Sequence, residues 1–342
     1  MSYPLQRPVI SVIVPVYSEA ANIRPFLGRL EPVLNGLGKH EILFALDPDS
    51  DGTDVAIEQE IARNPRIGLI QFSRRFGQPS AVIAGLRHAT GETCVVIDVD
   101  LQDPPELILD LYAKLREGYD VVYAKRRNRE GETLPKLFVS YVGYKLIHAV
   151  ADVDIPRNTG DFRIMSRRAV DELLNLKEGH GFLRGLVAFV GFRQASVDYD
   201  RDQRYRGAGH YNRYFGSLRI GLNGLVGFSN FLLNLTLLAG LTIASTAFLV
   251  ALGIVWSRLF TDVPYPLGVP TIIVLVLFLG GVQLISIGVL GQYIGRIYDE
   301  VKQRPQYIVA RTVNVGSVAE ESAGYESFES RASSDPTASA GV

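Results

Sequence analysis

The chain has 342 residues, 47% of them hydrophobic and 21% charged, and its 35 lysines and arginines against 36 aspartates and glutamates leave a formal net charge of -1. That balance gives no general attraction for a polyanion, which excludes nucleic acid as an expected partner and requires any basic site to be local. The single cysteine, Cys94, excludes an internal disulfide framework and reads as core filler in a reduced compartment.

Met1 to Pro8 is polar, and the apolar run Val9 to Val16 is too short for a signal core, so the N-terminal half is expected in the cytosol. From Val9 to about Asp198 apolar runs alternate with amphipathic stretches, the pattern of an α/β domain. Val9 to Val16, Glu41 to Leu46, Ile67 to Phe72, Thr93 to Asp98 and Val121 to Ala124 read as strands, several of them continuously apolar as parallel strands covered on both faces are. Ser80 to Ala89 and Glu106 to Glu117 carry apolar residues at helical spacing.

No charged residue lies between Arg219 and Arg258, and Leu232 to Trp256 is long enough for a hydrocarbon core of roughly 30 Å. A second uncharged run, Val263 to Gly295, follows a short loop, which makes a transmembrane hairpin. Arg213 and Arg219 precede it and Arg296, Lys302, Arg304 and Arg311 follow it, so both flanks are expected in the cytosol. Gly288, Gly291 and Gly295 form a small-residue face on the second span, suited equally to a homo-oligomer contact and to packing on the first span. The expected domains are therefore a catalytic domain over 1–210, an interfacial segment over 211–231, two spans within 232–295 (about 232–256 and 268–292), a cytoplasmic juxtamembrane segment over 296–312 and a disordered tail over 313–342. The segment 211–231 reads equally well as an extension of the first span, and Lys136 to Val150 as either a bilayer-side or a core helix.

The strongest local signal is Asp98-Val99-Asp100-Leu101-Gln102-Asp103-Pro104-Pro105-Glu106, directly after an apolar strand. Ligands of open α/β sheets bind outside the C-terminal edge of the strands, and two carboxylates one residue apart can hold Mg²⁺ or Mn²⁺. An acidic pair in that place can also merely cap the next helix. A basic cluster, Tyr123-Ala124-Lys125-Arg126-Arg127-Asn128-Arg129, follows the fifth strand and falls at the same edge, where guanidinium groups would bind phosphate oxygens.

With these motifs the chain resembles the family 2 glycosyltransferases of GT-A fold, in particular the dolichol- and undecaprenyl-phosphate sugar transferases of the bactoprenol glucosyltransferase type, from about Val9 to Arg311. The resemblance implies that Val14 to Glu19, with Pro15, Tyr17 and Glu19, holds the uracil and ribose. It implies that Asp47 recognises the base, although Leu46 and Pro48 depart from the family pattern. In Ser73 to Gln78, Arg75 stands where the family usually has Asn, while Arg74 and Gln78 remain on the nucleotide side. Asp98, Asp100 and Gln102 would surround the metal, with Asp98 also facing the nucleotide and Asp100 counted as catalytic. Arg126, and secondarily Arg127 and Arg129, would take the lipid phosphate, with Arg201, Arg204 and Arg206 supplying further charge. Asp161, in Asn158 to Arg163, takes the place of the family's proposed catalytic aspartate, as a base or as a positioning group.

The implied reaction is inverting transfer of a hexose from a nucleotide sugar to polyprenyl phosphate at the cytoplasmic face of the inner membrane, with UDP-glucose and undecaprenyl phosphate as default substrates. Other donors, and a non-catalytic membrane scaffold on the same fold, are the alternatives. A processive polysaccharide synthase would need a Gln-x-x-Arg-Trp motif, whereas the one tryptophan, Trp256, lies in the first expected span.

Overall fold

Strand β1 (Ile10–Val16) is buried at every position, because helices cover both of its faces. The computed structural model describes residues 8–127, 156, 159–176, 183–201, 231–260 and 268–315. Along the chain β1 is followed by α1 (Ala20–Leu37), β2 (His40–Leu46), α2 (Thr53–Ile61), β3 (Ile67–Phe72), α3 (Gln78–His88), β4 (Thr93–Val96), α4 (Leu107–Arg116) and β5 (Val121–Arg126). Then come β6 (Thr159–Ser166), α5 (Arg167–Asn175), α6 (Leu183–Phe189), β7 (Gln194–Tyr199), the long helices α7 (Phe231–Phe260) and α8 (Val269–Val301), and β8 (Val309–Val313).

The strands form one mixed sheet in the order β7-β5-β6-β4-β1-β2-β3-β8. β1 to β5 and β7 run one way; β6 runs antiparallel to both β4 and β5, and β8 antiparallel to β3. Alternate side chains supply the two cores. Val12, Val14 and Val16 face a layer with Phe26, Leu30, Ile108 and Leu111, while Ile13 faces Val82, Leu86 and Val170. Gly85 lets α3 lie directly on β1, since a Cβ there would overlap Ile13 Cγ2. Cys94 is fully buried in the second layer, and burial pushes its thiol up to about 12.

The five expected strands are present, with β4 ending at Val96 rather than at Asp98 and β5 running on to Arg126. The first difference frees Asp98 from the ladder, and the second carries the basic cluster into the sheet edge. Strands β6, β7 and β8 are not among the expected elements. β8 lies where the sequence alone indicates a juxtamembrane segment. Its charged Arg311 obscures the strand pattern, yet Arg311 pairs with Glu58 at 2.6 Å and Asp54 at 3.8 Å. The expected interfacial segment, except for Phe231, the helix expected over Lys136 to Val150, and the tail beyond Val315 lie outside the described residues.

Helices α7 and α8 contain stretches long and apolar enough to cross a membrane, Leu233–Val250 and Phe278–Val301. Their large side chains point outward, as in Leu237, Leu249, Leu284 and Ile285. A Cβ at Gly288, Gly291 or Gly295 would meet no described atom within 4 Å.

Gly68 in β3 makes the docking of β8 testable. A Cβ there would come within 2.8 Å of Val315 Cγ2 and 2.9 Å of the Asn314 carbonyl oxygen, while Asn314 Nδ2 donates to the carbonyls of Pro65 and Ile67 at 2.7 Å. Gly68→Ala is expected to loosen β8 and speed tryptic cleavage at Lys302 and Arg311 several-fold, with the rest of the sheet keeping its protection. An unchanged cleavage pattern would show that β8 is not held against Gly68.

Candidate active site

The topology gathers most of the candidate residues on one edge. Tyr17 follows β1, Asp47 follows β2, Arg74 follows β3, Asp98 and Asp100 follow β4, Arg126 ends β5 and Arg201 follows β7. Because β6 is reversed, its beginning lies at that same edge. Arg163 pairs with Val96 and with Tyr123, which sets Asp161 alongside the stretch that carries Asp98.

On the side of β1 and β2 the loops are tied to one another by buried or half-buried polar groups. Asp47 accepts the backbone N–H of Phe76 at 2.8 Å and of Gly77 at 2.9 Å, one on each carboxylate oxygen. It therefore fixes the loop that carries Arg74, and Gly77 turns there with a φ of 92° that suits glycine. Asp51 accepts from the backbone of Ala20 and Thr53, and Thr53 Oγ1 accepts the Glu19 N–H at 3.0 Å. The guanidinium of Arg75 stacks on the Tyr17 ring at 3.8 Å and that of Arg74 on Phe76 at 4.1 Å. Pro15 is buried within β1, opposite Ala45.

Beyond β4 the acidic motif folds back on itself. Leu101 adopts a left-handed φ of 59°, unusual for a bulky residue, and this turn lets Asp100 Oδ1 accept the Gln102 N–H at 3.1 Å. Gln78 Nε2 donates to Asp98 Oδ1 at 2.8 Å, bringing the start of α3 to the motif. Burial, together with the carboxylates of Asp161, Asp103 and Asp100, pushes Asp98 up to about 8 against the pull of Arg201. Buried Asp103 Oδ2 has no hydrogen-bond partner. Negative charge is thus in surplus, and a divalent cation fits that surplus. Among the described residues no group of three or more His, Cys, Asp or Glu side chains is arranged for a metal, so Asp98, Asp100 and Gln102 would supply part of a coordination shell and ligand oxygens the rest.

Asp161 sits on strand β6, two residues after its start. Its Oδ1 accepts from Arg163 Nη2 at 2.8 Å and from Arg184 Nε at 3.0 Å. Burial by itself would raise the Asp161 carboxyl; the guanidinium groups of Arg184 and Arg163, with Arg126 beyond them, outweigh it and hold the group below the usual carboxylate range. Arg163 is 0% exposed and also donates to the Asp161 backbone carbonyl. An arginine stripped of water in this way requires its counter-ion.

Among the expected phosphate ligands, Arg126 and Arg201 both reach Asp103, at 3.8 and 3.4 Å. Arg127 points instead to Asp200 at 3.5 Å in the open. Arg129, Arg204 and Arg206 lie outside the described residues. Sequence reasoning passed over Asp103, Arg163, Arg184 and Tyr199. Arg163 was within reach, since residues i and i+2 of a strand share a face; Arg184 comes from a helix with no motif of its own.

Asp161→Asn is expected to cost about 3 kcal/mol of stability at pH 7, because it leaves Arg163 buried without a counter-charge. The folded pKa of Asp161 is depressed, so its stabilisation is present above the unfolded value of about 3.9 and is lost as pH falls through the folded value. The difference in melting between the two proteins should therefore persist from pH 7 to 5 and narrow below about pH 4. Adding Arg163→Leu to Asp161→Asn should restore part of the loss, and a further loss of the same size would disprove the pairing.

Comparison with known proteins identifies the family. The model of glycosyl transferase family 2 matches residues 11–174, from β1 into α5. The uncharacterized glycosyltransferase YkcC of Bacillus subtilis (strain 168) is 42% identical over 306 residues, 89% of this chain and 94% of that protein. The bactoprenol glucosyl transferase of Shigella phage SfII is 38% identical over 309 residues, 89% of this chain and 98% of that protein. Among solved structures, glucosyl-3-phosphoglycerate synthase from Mycobacterium tuberculosis, in complex with Mn²⁺, UDP-glucose and phosphoglyceric acid, aligns with a TM-score of 0.44 and 21% identity, covering 65% of this chain and 79% of that one. With relatives of that identity over nearly nine-tenths of its length, the chain belongs to glycosyl transferase family 2, and it is a glycosyltransferase with a GT-A catalytic fold.

Proposed function

We propose that this enzyme transfers glucose from UDP-glucose to undecaprenyl phosphate, with inversion at the anomeric carbon, at the cytoplasmic face of the inner membrane. The observation that carries the reading is the 38% identity, over 98% of its length, to a relative named bactoprenol glucosyl transferase. The edge described above supports it with donor-side carboxylates next to acceptor-side guanidiniums.

In this reading Tyr17, Glu19 and Arg74 face the nucleotide, and Asp47 serves base recognition by fixing the loop of Arg74. Asp98, Asp100 and Gln102 would hold Mg²⁺ or Mn²⁺, which when bound offsets the charge that grows on the departing diphosphate. Arg126 and Arg201 receive the lipid phosphate, joined by Arg127, Arg129 and Arg206, and orient one of its oxygens toward the sugar. A phosphate monoester has a second pKa of about 6, so the acceptor at pH 7 is mostly ionised and needs no strong base. Asp161, held anionic by two arginines, acts as a positioning group.

Helices α7 and α8 cross the bilayer as a hairpin in this proposal. Pairing of β8 with β3 supports a common side for the catalytic domain and the segment after α8, and Lys302, Arg304 and Arg311 support the cytoplasmic side. The glycine face of α8 is available to a second copy of the chain.

Purified protein given a panel of nucleotide sugars and undecaprenyl phosphate is expected to yield a hexosyl lipid from UDP-glucose, detected by mass, with none in EDTA or from Asp100→Asn. Full turnover in EDTA, or a product lacking the lipid, would refute the reaction. A second outcome concerns Asp161. If it only positions groups, Asp161→Asn should retain the parent's acidic limb near pH 6, set by the acceptor. A limb that vanishes while the acceptor KM stays fixed would make Asp161 the base.

A further inference from the structure

Asp103 lies within the acidic motif but serves a different set of partners from Asp98 and Asp100. Its side chain is 1% exposed, and its Oδ1 accepts the Tyr199 hydroxyl. The same oxygen stands 3.4 Å from Arg201 Nε and 3.8 Å from Arg126 Nη2. Arg126 Nε in turn donates to the Tyr199 oxygen at 3.2 Å, so the tyrosine hydroxyl bridges cation and anion. Asp103 Oδ2, buried as well, has no hydrogen-bond partner.

Two features separate this cluster from an ordinary structural ion pair. The guanidiniums come from different strands, Arg126 at the end of β5 and Arg201 just past the end of β7, and they converge on one carboxylate oxygen. Their separations from it exceed the roughly 2.7–2.9 Å of a charge-assisted hydrogen bond. The carboxylate therefore sets where the two cations sit without saturating their N–H donors. β6 leaves room for this arrangement, since a Cβ at Gly160 would come 3.0 Å from Arg126 Nη2.

We infer that Asp103 and Tyr199 are positioning residues that assemble the acceptor's phosphate site from Arg126 and Arg201. The inference rests on the lipid-phosphate reading of the reaction and deepens it. Two guanidiniums brought together for one phosphate repel each other, and each gives up rotamer entropy when fixed. A buried carboxylate between them offsets the repulsion and fixes their stems before the acceptor arrives. Asp103 also belongs to the segment that carries Asp98 and Asp100, so the acceptor arginines are referenced to the donor-side carboxylates through one short stretch of backbone. Near-attack geometry depends on holding such a distance constant.

The test uses the full-length enzyme in detergent with UDP-glucose, Mn²⁺ and a short-chain polyprenyl phosphate. Asp103→Asn is expected to raise the acceptor KM on the order of tenfold, while the donor KM and the Mn²⁺ requirement stay within about twofold. Tyr199→Phe keeps the ring that packs edge-on against Phe162 and should raise the acceptor KM in the same direction by a smaller factor. An unchanged acceptor KM in both variants, or equal rises in donor and acceptor KM, would overturn the assignment. Should Asp103→Asn fail to fold, Tyr199→Phe decides alone, because it removes one hydroxyl and no charge. If the parent enzyme itself transfers no sugar to the lipid phosphate, the functional reading fails; if the parent turns over and the variants match its acceptor KM, only the role of Asp103 and Tyr199 fails.

Discussion

Four carboxylates, Asp98, Asp100, Asp103 and Asp161, share one edge of the sheet, and the site depends on how their mutual repulsion is met. Asp161 is answered by Arg163 and Arg184, and Asp103 by Tyr199, Arg126 and Arg201. Asp98 accepts from the Gln78 amide but has, among the described residues, no cation of its own at hydrogen-bond distance, and burial together with the neighbouring carboxylates pushes its carboxyl up to about 8. In the proposed reaction, the charge that the protein itself does not cancel is the part assigned to a cation and a diphosphate, and the charge that it does cancel is the part assigned to an anionic acceptor.

Reversal of β6 makes this distribution possible. A parallel strand in that place would send Asp161 and Arg163 toward the far edge, with their partners on β4 and β5 out of reach. The antiparallel register pairs Arg163 with both Val96 and Tyr123 and buries its guanidinium completely. A buried arginine is costly by itself, so the geometry around Asp161 is fixed by the need to keep that pair intact. Asp47 does the same for the nucleotide side, trading its free oxygens for control over the loop of Phe76 and Gly77.

Much of the sheet was legible because its strands are buried on both faces and read as apolar runs. Strands β6, β7 and β8 were not. β6 alternates Thr159, Asp161 and Arg163 with apolar residues, and β7 and β8 are half-exposed edges, so hydropathy passes over all three. The acidic motif was legible as chemistry, while the division of labour inside it was not: Asp100 and Asp103 look alike in sequence, and only the approach of β5 and β7 separates them. Arg184 had no local signal, since its partner lies 23 residues away in the chain.

The edge strand β8 brings the chain back from α8 to the catalytic sheet. An antiparallel strand that follows α8 and pairs with β3 closes the chain on its own catalytic sheet, and it also covers an edge that would otherwise stand open to pairing. A chain that leaves a folded domain and returns to it can cross a bilayer only an even number of times. Two helices of 30 and 33 residues meet that condition, as the proposed hairpin requires. In the proposed hairpin, membrane attachment would raise the local concentration of a lipid acceptor rather than its intrinsic affinity. Protein contacts with such an acceptor would then be confined to its phosphate, the group proposed for the arginines around Asp103.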